Sequence, residues 1–291
     1  MEKKIKSIND GVNAVTGDFL TNRLIPQGMV QAVGPIVFLD HVYPIALNKD
    51  SLIAPTGELA HPHRGIATLT YVFSGSLAHY DSYGNYDVVG PGGLQWMKSG
   101  TGIVHEELPG ITKEHGEIFH SVQFWIILPF AVKSEEPEYL ALQSKDIIEL
   151  PLPKNAGVIR ILLGNFGSSE SPVKTFGKQF IYHIKLNPKS TFELEGKEDL
   201  EYALFVPANE VSVNEAVVGR SKMVIFEKKG DKIILGNSDI FVADIMMFGG
   251  EPNTETVIVE GPFAANNYLE ISEAYKDFFD GKYRTINYIR D

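Results

Sequence analysis

The sequence predicts an all-β protein made of two tandem barrels and closed by one short C-terminal helix. Three observations carry that expectation. Short runs of alternating apolar residues are separated by glycine- and proline-bearing turns; the same rhythm recurs in the second half; and strands never alternate with long helices. Length agrees, because 291 residues at about 150 per domain suggest two domains. A composition that is 44% hydrophobic and 11% aromatic supplies ample core.

In the first half, residues 68–73, 75–79, 88–89, 94–97, 103–107 and 121–128 read as strands. Between them Ser74-Gly75, Tyr83-Gly84-Asn85 and Gly90-Pro91-Gly92-Gly93 offer positive φ or a fixed proline bend. Charge and proline then interrupt the alternation at 133–138, where no sheet interior could continue. From about Val158 the rhythm resumes at 158–163, 180–186, 202–206, 223–227 and 241–247. The expected organisation is a metal-binding N-terminal barrel over 1–135, a linker over 136–153, and a second barrel without metal ligands over 154–291. A helix over 267–280 ends it: Ile271, Ala274, Tyr275 and Phe278 recur at helical spacing and Gly281 offers a stop. Its aromatic residues are assigned to packing.

His61-Pro62-His63, answered by His105-Glu106-Glu107, is the most informative pattern in the chain. Residues two apart on a strand share a face, so His61 and His63 converge from one strand and His105 and Glu107 from another. Gly100 and Gly102 mark a tight turn, after which Ile103 and Val104 begin the strand that delivers the second pair inward. Three imidazoles and a carboxylate make ligands for one divalent ion. A six-coordinate ion would keep two open positions, which points to catalysis, whereas a closed tetrahedral zinc is the purely structural alternative. The ligand set favours iron(II), with zinc, manganese, cobalt, nickel and copper chemically open.

The second half holds a single histidine, His183, in the alternating run 180–186, and is assigned no metal. His79 with Asp81, and His120 with Val122 and Phe124, are read as hydrogen-bonded structural residues. His41 and His115 carry less information still.

Several function classes fall away. Without cysteine there are no disulfides, thiolate ligands or thiol nucleophiles. A net charge of −11 with no basic cluster argues against direct nucleic-acid binding. No apolar run approaches the roughly 20 residues of a membrane span, and the start lacks a signal-peptide core, so a cytoplasmic protein is expected. The glycine-rich stretches at 90–93 and 100–102 lack the Gly-Lys-Ser/Thr ending of a phosphate loop, and there is no Gly-x-Ser-x-Gly elbow.

The residues His61-Pro62-His63-Arg64-Gly65, Tyr71 to Gly75, Asp81-Ser82 with Gly84-Asn85, Pro91-Gly92, Gln95-Trp96-Met97 and 100–107 together resemble the pirin family. Gln123, Trp125, Leu128-Pro129, Gly249-Gly250-Glu251-Pro252, Gly261-Pro262-Phe263 and Gly281-Lys282 extend the resemblance over nearly the whole chain. It implies a bicupin, two double-stranded β-helix (jelly-roll) barrels of which the C-terminal one has lost its ligands. It also implies iron, and activity of the quercetin 2,3-dioxygenase type on a flavonol-like aromatic substrate with O2. Glu107 would be the base that takes the flavonol 3-hydroxyl proton. The resemblance equally implies a different class of role, a metal-dependent regulator with a protein partner, for which the arm 133–138 and the acidic surface are candidates. Gln95, Met97 and Gln123 are candidate pocket-wall residues. One departure stands out: pirins usually carry glutamate where this chain has Ala67, and regular alternation from His61 would turn Ala67, Leu69 and Tyr71 toward the ligands.

Overall fold

Glycines at positive φ cut the chain into short strands: Gly75 at +79° and Gly84 at +88° turn it tightly enough for each strand to fold back on its predecessor. The computed structural model describes residues 1–16, 19–48, 54–111 and 116–289; the sequence reading of His115 lies outside them. The described chain is β-sheet with one α-helix, the predicted fold class. No helix among these residues is long and apolar enough to cross a membrane.

Two compact units result, one of residues 14–21, 38–146 and 253–291, the other of 1–13, 22–37 and 147–252. In the first, a four-stranded sheet runs in the order His61–His63, Ile103–Gly110, Ser76–Asp81, Tyr86–Val89. It faces strands of a seven-stranded sheet ordered Glu138–Leu142, Leu94–Lys98, Ile66–Ser74, Ile118–Ile127, Ile36–Ala46, Phe19–Ile25, Val12–Thr16. Val72, Leu77, Val89 and Phe119 fill the space between them.

The second unit repeats the plan. Its seven-stranded sheet runs Ile5–Asp10, Lys222–Phe226, Glu201–Val206, Ala243–Gly250, Gln179–Leu186, Gly157–Leu163, Glu149–Pro151, and its four-stranded sheet runs Ser190–Glu195, Lys232–Asn237, Val211–Val213, Ala216–Val218. Ile184, Leu204, Ile233 and Leu235, all fully buried, sit in one aliphatic core there.

These units correct the expected boundaries. Residues 136–153 are no linker: Glu138–Leu142 pairs with Leu94–Lys98, and Glu149–Pro151 pairs with Gly157–Leu163. The charged stretch before them is structural, because Lys98, only 1% exposed, donates to Glu135 Oε2 at 2.8 Å and to Glu138 Oε1. Burial alone would lower the Lys98 ammonium, but these two carboxylates outweigh it and raise it. Two acids of the arm suggested for a partner are thus committed internally.

The chain ends also exchange places. Ile5–Asp10 adds an edge strand beside Lys222–Phe226, which explains why residues 1–13 belong to the second unit. The helix, observed at Tyr268–Phe279, belongs to the first, where Ile271 and Ala274 pack with Phe263, Ala265 and Tyr283, and with Val104 at their edge. Asn267 caps it by accepting from Glu270 N at 3.0 Å, and Gly281 at φ +76° ends it.

Candidate metal centre

Strand Ile103–Gly110 organises the site because it pairs on both edges. On one side His105 lies opposite His61 and Ile103 opposite His63; on the other His105 lies opposite Asp81 and Glu107 opposite His79. Directly opposed residues share a face, so His61, His63, His79, Asp81, His105 and Glu107 all project to one side of this sheet.

The imidazoles converge. His61 Nε2 and His105 Nε2 are 3.0 Å apart, and the ligand atoms of His61, His63 and His105 lie within 4.8 Å of one another. His61 Nδ1 donates to Leu59 O at 2.9 Å, and His63 Nδ1 donates to Pro262 O at 3.0 Å. A carbonyl can only accept, so both rings carry the proton on Nδ1 and offer a lone pair at Nε2. His63 Nε2 is buried with no hydrogen-bond partner. Burial, then the neighbouring His61, holds His63 down to about 3, against a weaker opposing effect of the bond to Pro262. Burial, then His61, His63 and His79, holds His105 well below the usual histidine range. Both are neutral at physiological pH, the form that ligates a metal.

Glu107 is anchored from the facing sheet. Its Oε1 accepts from Thr70 Oγ1 at 3.0 Å and its Oε2 from Gln123 Nε2 at 2.7 Å, while Gln123 Oε1 accepts from Trp125 Nε1 at 3.0 Å. The Trp125 indole, stacked on Phe38 with centroids 4.1 Å apart, meets the His63 ring edge-on at 4.9 Å. Glu107 does not join the trio of converging imidazoles; it forms a second close group with His105 and His79. The two groups share His105.

His79 therefore sits nearer the centre than the sequence indicated, although its spacing from Asp81 repeats the period of the ligand pairs. Its Nε2 bonds Asp81 Oδ2 at 3.1 Å, both residues are buried, and Tyr139 stacks on its ring at 4.1 Å. Burial would raise the Asp81 carboxyl, but hydrogen bonds from His79 and Asn85 outweigh it and hold it below the usual range. Burial, reinforced by Asp87, Glu107 and Asp81, pushes the Tyr139 phenol up.

Of the candidate wall residues, Gln95 and Gln123 lie opposite Thr70, and Met97 lies opposite Thr68, so all three share the face of Thr70 that touches Glu107. Gln95 Nε2 donates to Leu77 O at 3.0 Å and its Oε1 is buried without a partner. Ala67 is the correction. Thr70 faces Glu107, so Ala67, Leu69 and Tyr71 face the opposite side of Ile66–Ser74, where Ala67 is fully buried. The phase resets at Arg64-Gly65: Arg64 bridges to Phe263, Gly65 turns at φ +81°, and a Cβ there would meet Ala264 O at 1.9 Å. Alternation counted from His61 cannot cross that turn, and Ala67 is no wall of the site.

His120 and His183, read from the sequence as structural, are both hydrogen-bonded. His41 Nε2 and His120 Nε2 share a hydrogen bond at 2.7 Å, and His183 Nε2 bonds Asp244 Oδ1 at 2.8 Å.

The residues fit a divalent ion. The Nε2 atoms of His61 and His105 face each other at 3.0 Å, that of His63 is buried and unpartnered, and a hydrogen-bonded carboxylate stands beside His105; a divalent cation is the partner this donor set suits.

The pirin family model matches residues 18–126, and that of the pirin C-terminal cupin domain matches residues 181–284. A Pseudomonas aeruginosa protein provisionally named quercetin 2,3-dioxygenase is 30% identical over 261 residues, 87% of either chain. Human pirin is 32% identical over 235 residues, 78% of either chain. A solved quercetin 2,3-dioxygenase from Acinetobacter baumannii superposes with a TM-score of 0.86 at 27% identity, covering 97% of this chain and 99% of that one.

Proposed function

The chain belongs to the pirin family, and on that premise we propose that it is a metal-dependent bicupin oxidoreductase of the quercetin 2,3-dioxygenase type, acting on a flavonol-like substrate with O2. The observation that carries this reading is the approach of His61, His63 and His105 with Glu107 at their side. A bound divalent ion, iron(II) by preference, would supply Lewis-acid and one-electron redox chemistry there.

In this reading the imidazoles of His61, His63 and His105 hold the ion, and Glu107 takes the proton of the flavonol 3-hydroxyl at a carboxylate oxygen. Thr70 holds one carboxylate oxygen of Glu107 and Gln123 the other, and Trp125 fixes the amide of Gln123 so that its N–H2 end faces Glu107. Gln95 and Met97 line the same interior face.

Protein purified anaerobically and loaded with iron(II) should consume oxygen and bleach the visible absorbance of quercetin. Glu107→Gln should suppress turnover more than it lowers metal content. A metal-replete protein that turns over no flavonol, and that retains a protein partner through purification, would overturn the enzymatic reading in favour of the regulatory one.

A further inference from the structure

Glu106 stands between the two site residues His105 and Glu107, so strand alternation aims it at the other face of the sheet. It is fully buried there. A buried carboxylate must be compensated, and this one is compensated by backbone. Leu59 N donates to Oε1 at 3.0 Å and Gly57 N to Oε2 at 3.3 Å. The Tyr288 phenol, pushed up first by its burial and then by Glu106, lies against the same segment, its hydroxyl 3.3 Å from where a Cβ on Gly57 would stand. The segment being gripped ends in the carbonyl of Leu59, which receives the His61 Nδ1 proton at 2.9 Å.

His61 is the ligand most in need of that hold. His63 and His105 are each 1% exposed and are fixed by their surroundings, whereas His61 is an exposed residue at the start of its strand. Without an acceptor at Nδ1 its ring could rotate, or carry its proton on Nε2, the atom that faces His105.

We propose that Glu106 is the positioning residue for His61: by clamping the amides of Gly57 and Leu59 it presents the Leu59 carbonyl to Nδ1 and so keeps the His61 lone pair on Nε2. The inference rests on the metal-centre reading for its consequence but not for its mechanism, which belongs to the metal-free protein.

Two measurements therefore separate them. In metal-free protein, nitrogen-15 histidine NMR should show His61 as the Nδ1–H tautomer, and Glu106→Ala should mix in the Nε2–H form while leaving His63, held by Pro262, unchanged. Cobalt(II) affinity, measured by competition with a chelator, should fall at least about ten-fold, with a changed visible spectrum of the bound cobalt. Glu106→Gln keeps one acceptor oxygen and should recover part of both effects. Gly57→Ala approaches from the other side, straining a φ of +86° and placing a Cβ 3.3 Å from the Tyr288 hydroxyl, and should reproduce the His61 signature with Glu106 intact. It serves as the test if Glu106→Ala does not fold. A wild-type protein that binds no cobalt would overturn the metal centre and leave the tautomer result standing. An unchanged His61 tautomer together with cobalt affinity within two-fold of wild type, in any of these variants that folds, would overturn the role given to Glu106.

Discussion

Gln123→Leu tests the network that holds Glu107, since a side chain of similar size removes three polar contacts at once. Gln123 Nε2 donates to Glu107 Oε2 at 2.7 Å and to Thr70 Oγ1 at 3.0 Å, and its Oε1 accepts from Trp125 Nε1 at 3.0 Å. A lost bond to a carboxylate costs about 1.5–3 kcal/mol, and a buried indole N–H left without an acceptor costs about 1–3 kcal/mol; Trp125 is 9% exposed, so little water can replace the amide. Burying leucine in place of a polar amide offsets about 1 kcal/mol. The expected net loss is about 1.5–5 kcal/mol. Urea denaturation of the metal-free protein should show it as a lower midpoint with an unchanged slope. The released Glu107 should also lower flavonol turnover by more than metal content changes. A midpoint within about 0.5 kcal/mol of wild type, a difference typical of surface substitutions, would refute the claim that this amide is structurally committed.

Three further outcomes are expected. His63→Ala should abolish stoichiometric metal binding measured by elemental analysis, because one of three converging imidazoles is gone; full metal content would remove His63 from the site. His63 also sets an acid dependence. The unfolded chain takes up a proton near the ordinary value of about 6.5, whereas folded His63 resists until about 3, so this group favours folding above 6.5 and loses about 1.4 kcal/mol per pH unit as pH falls from about 6 toward 4. Denaturation of metal-free His63→Gln should accordingly show a shallower loss of stability with acid than wild type, and parallel curves would contradict the buried neutral imidazole. Ala67→Glu should destabilise the fold by a few kcal/mol or carry a raised carboxyl pKa, because it buries an acid on the face away from the ligands, while the spectrum of bound cobalt stays as in wild type; a shifted spectrum would restore Ala67 to the site.

Local periodicity explains what was legible in the sequence alone. Strand alternation repeats every two residues, so His61-x-His63 and His105-x-Glu107 declare their shared faces without reference to the rest of the chain, and the two runs of short strands declare two barrels. The single helix could be read for the same reason: its apolar spacing and the Gly281 stop are neighbours in sequence. Anything that depended on an uninterrupted phase was fragile. The turn at Arg64-Gly65 carries the chain from one sheet to the other and resets the alternation, which moved Ala67 from the expected interior to the opposite face. Only the tertiary structure could assign the strand Ile5–Asp10 to the second unit and the helix Tyr268–Phe279 to the first, because edge-strand pairing and helix docking join residues more than a hundred positions apart. The same holds for the carbonyls of Leu59 and Pro262, the anchoring of Glu107 by Thr70 and Gln123, and the nearness of His79. Pro262, Thr70, Gln123 and His79 act across strands or between distant segments; the Leu59 carbonyl is only two residues from His61, but a backbone carbonyl leaves no trace in a sequence of side chains.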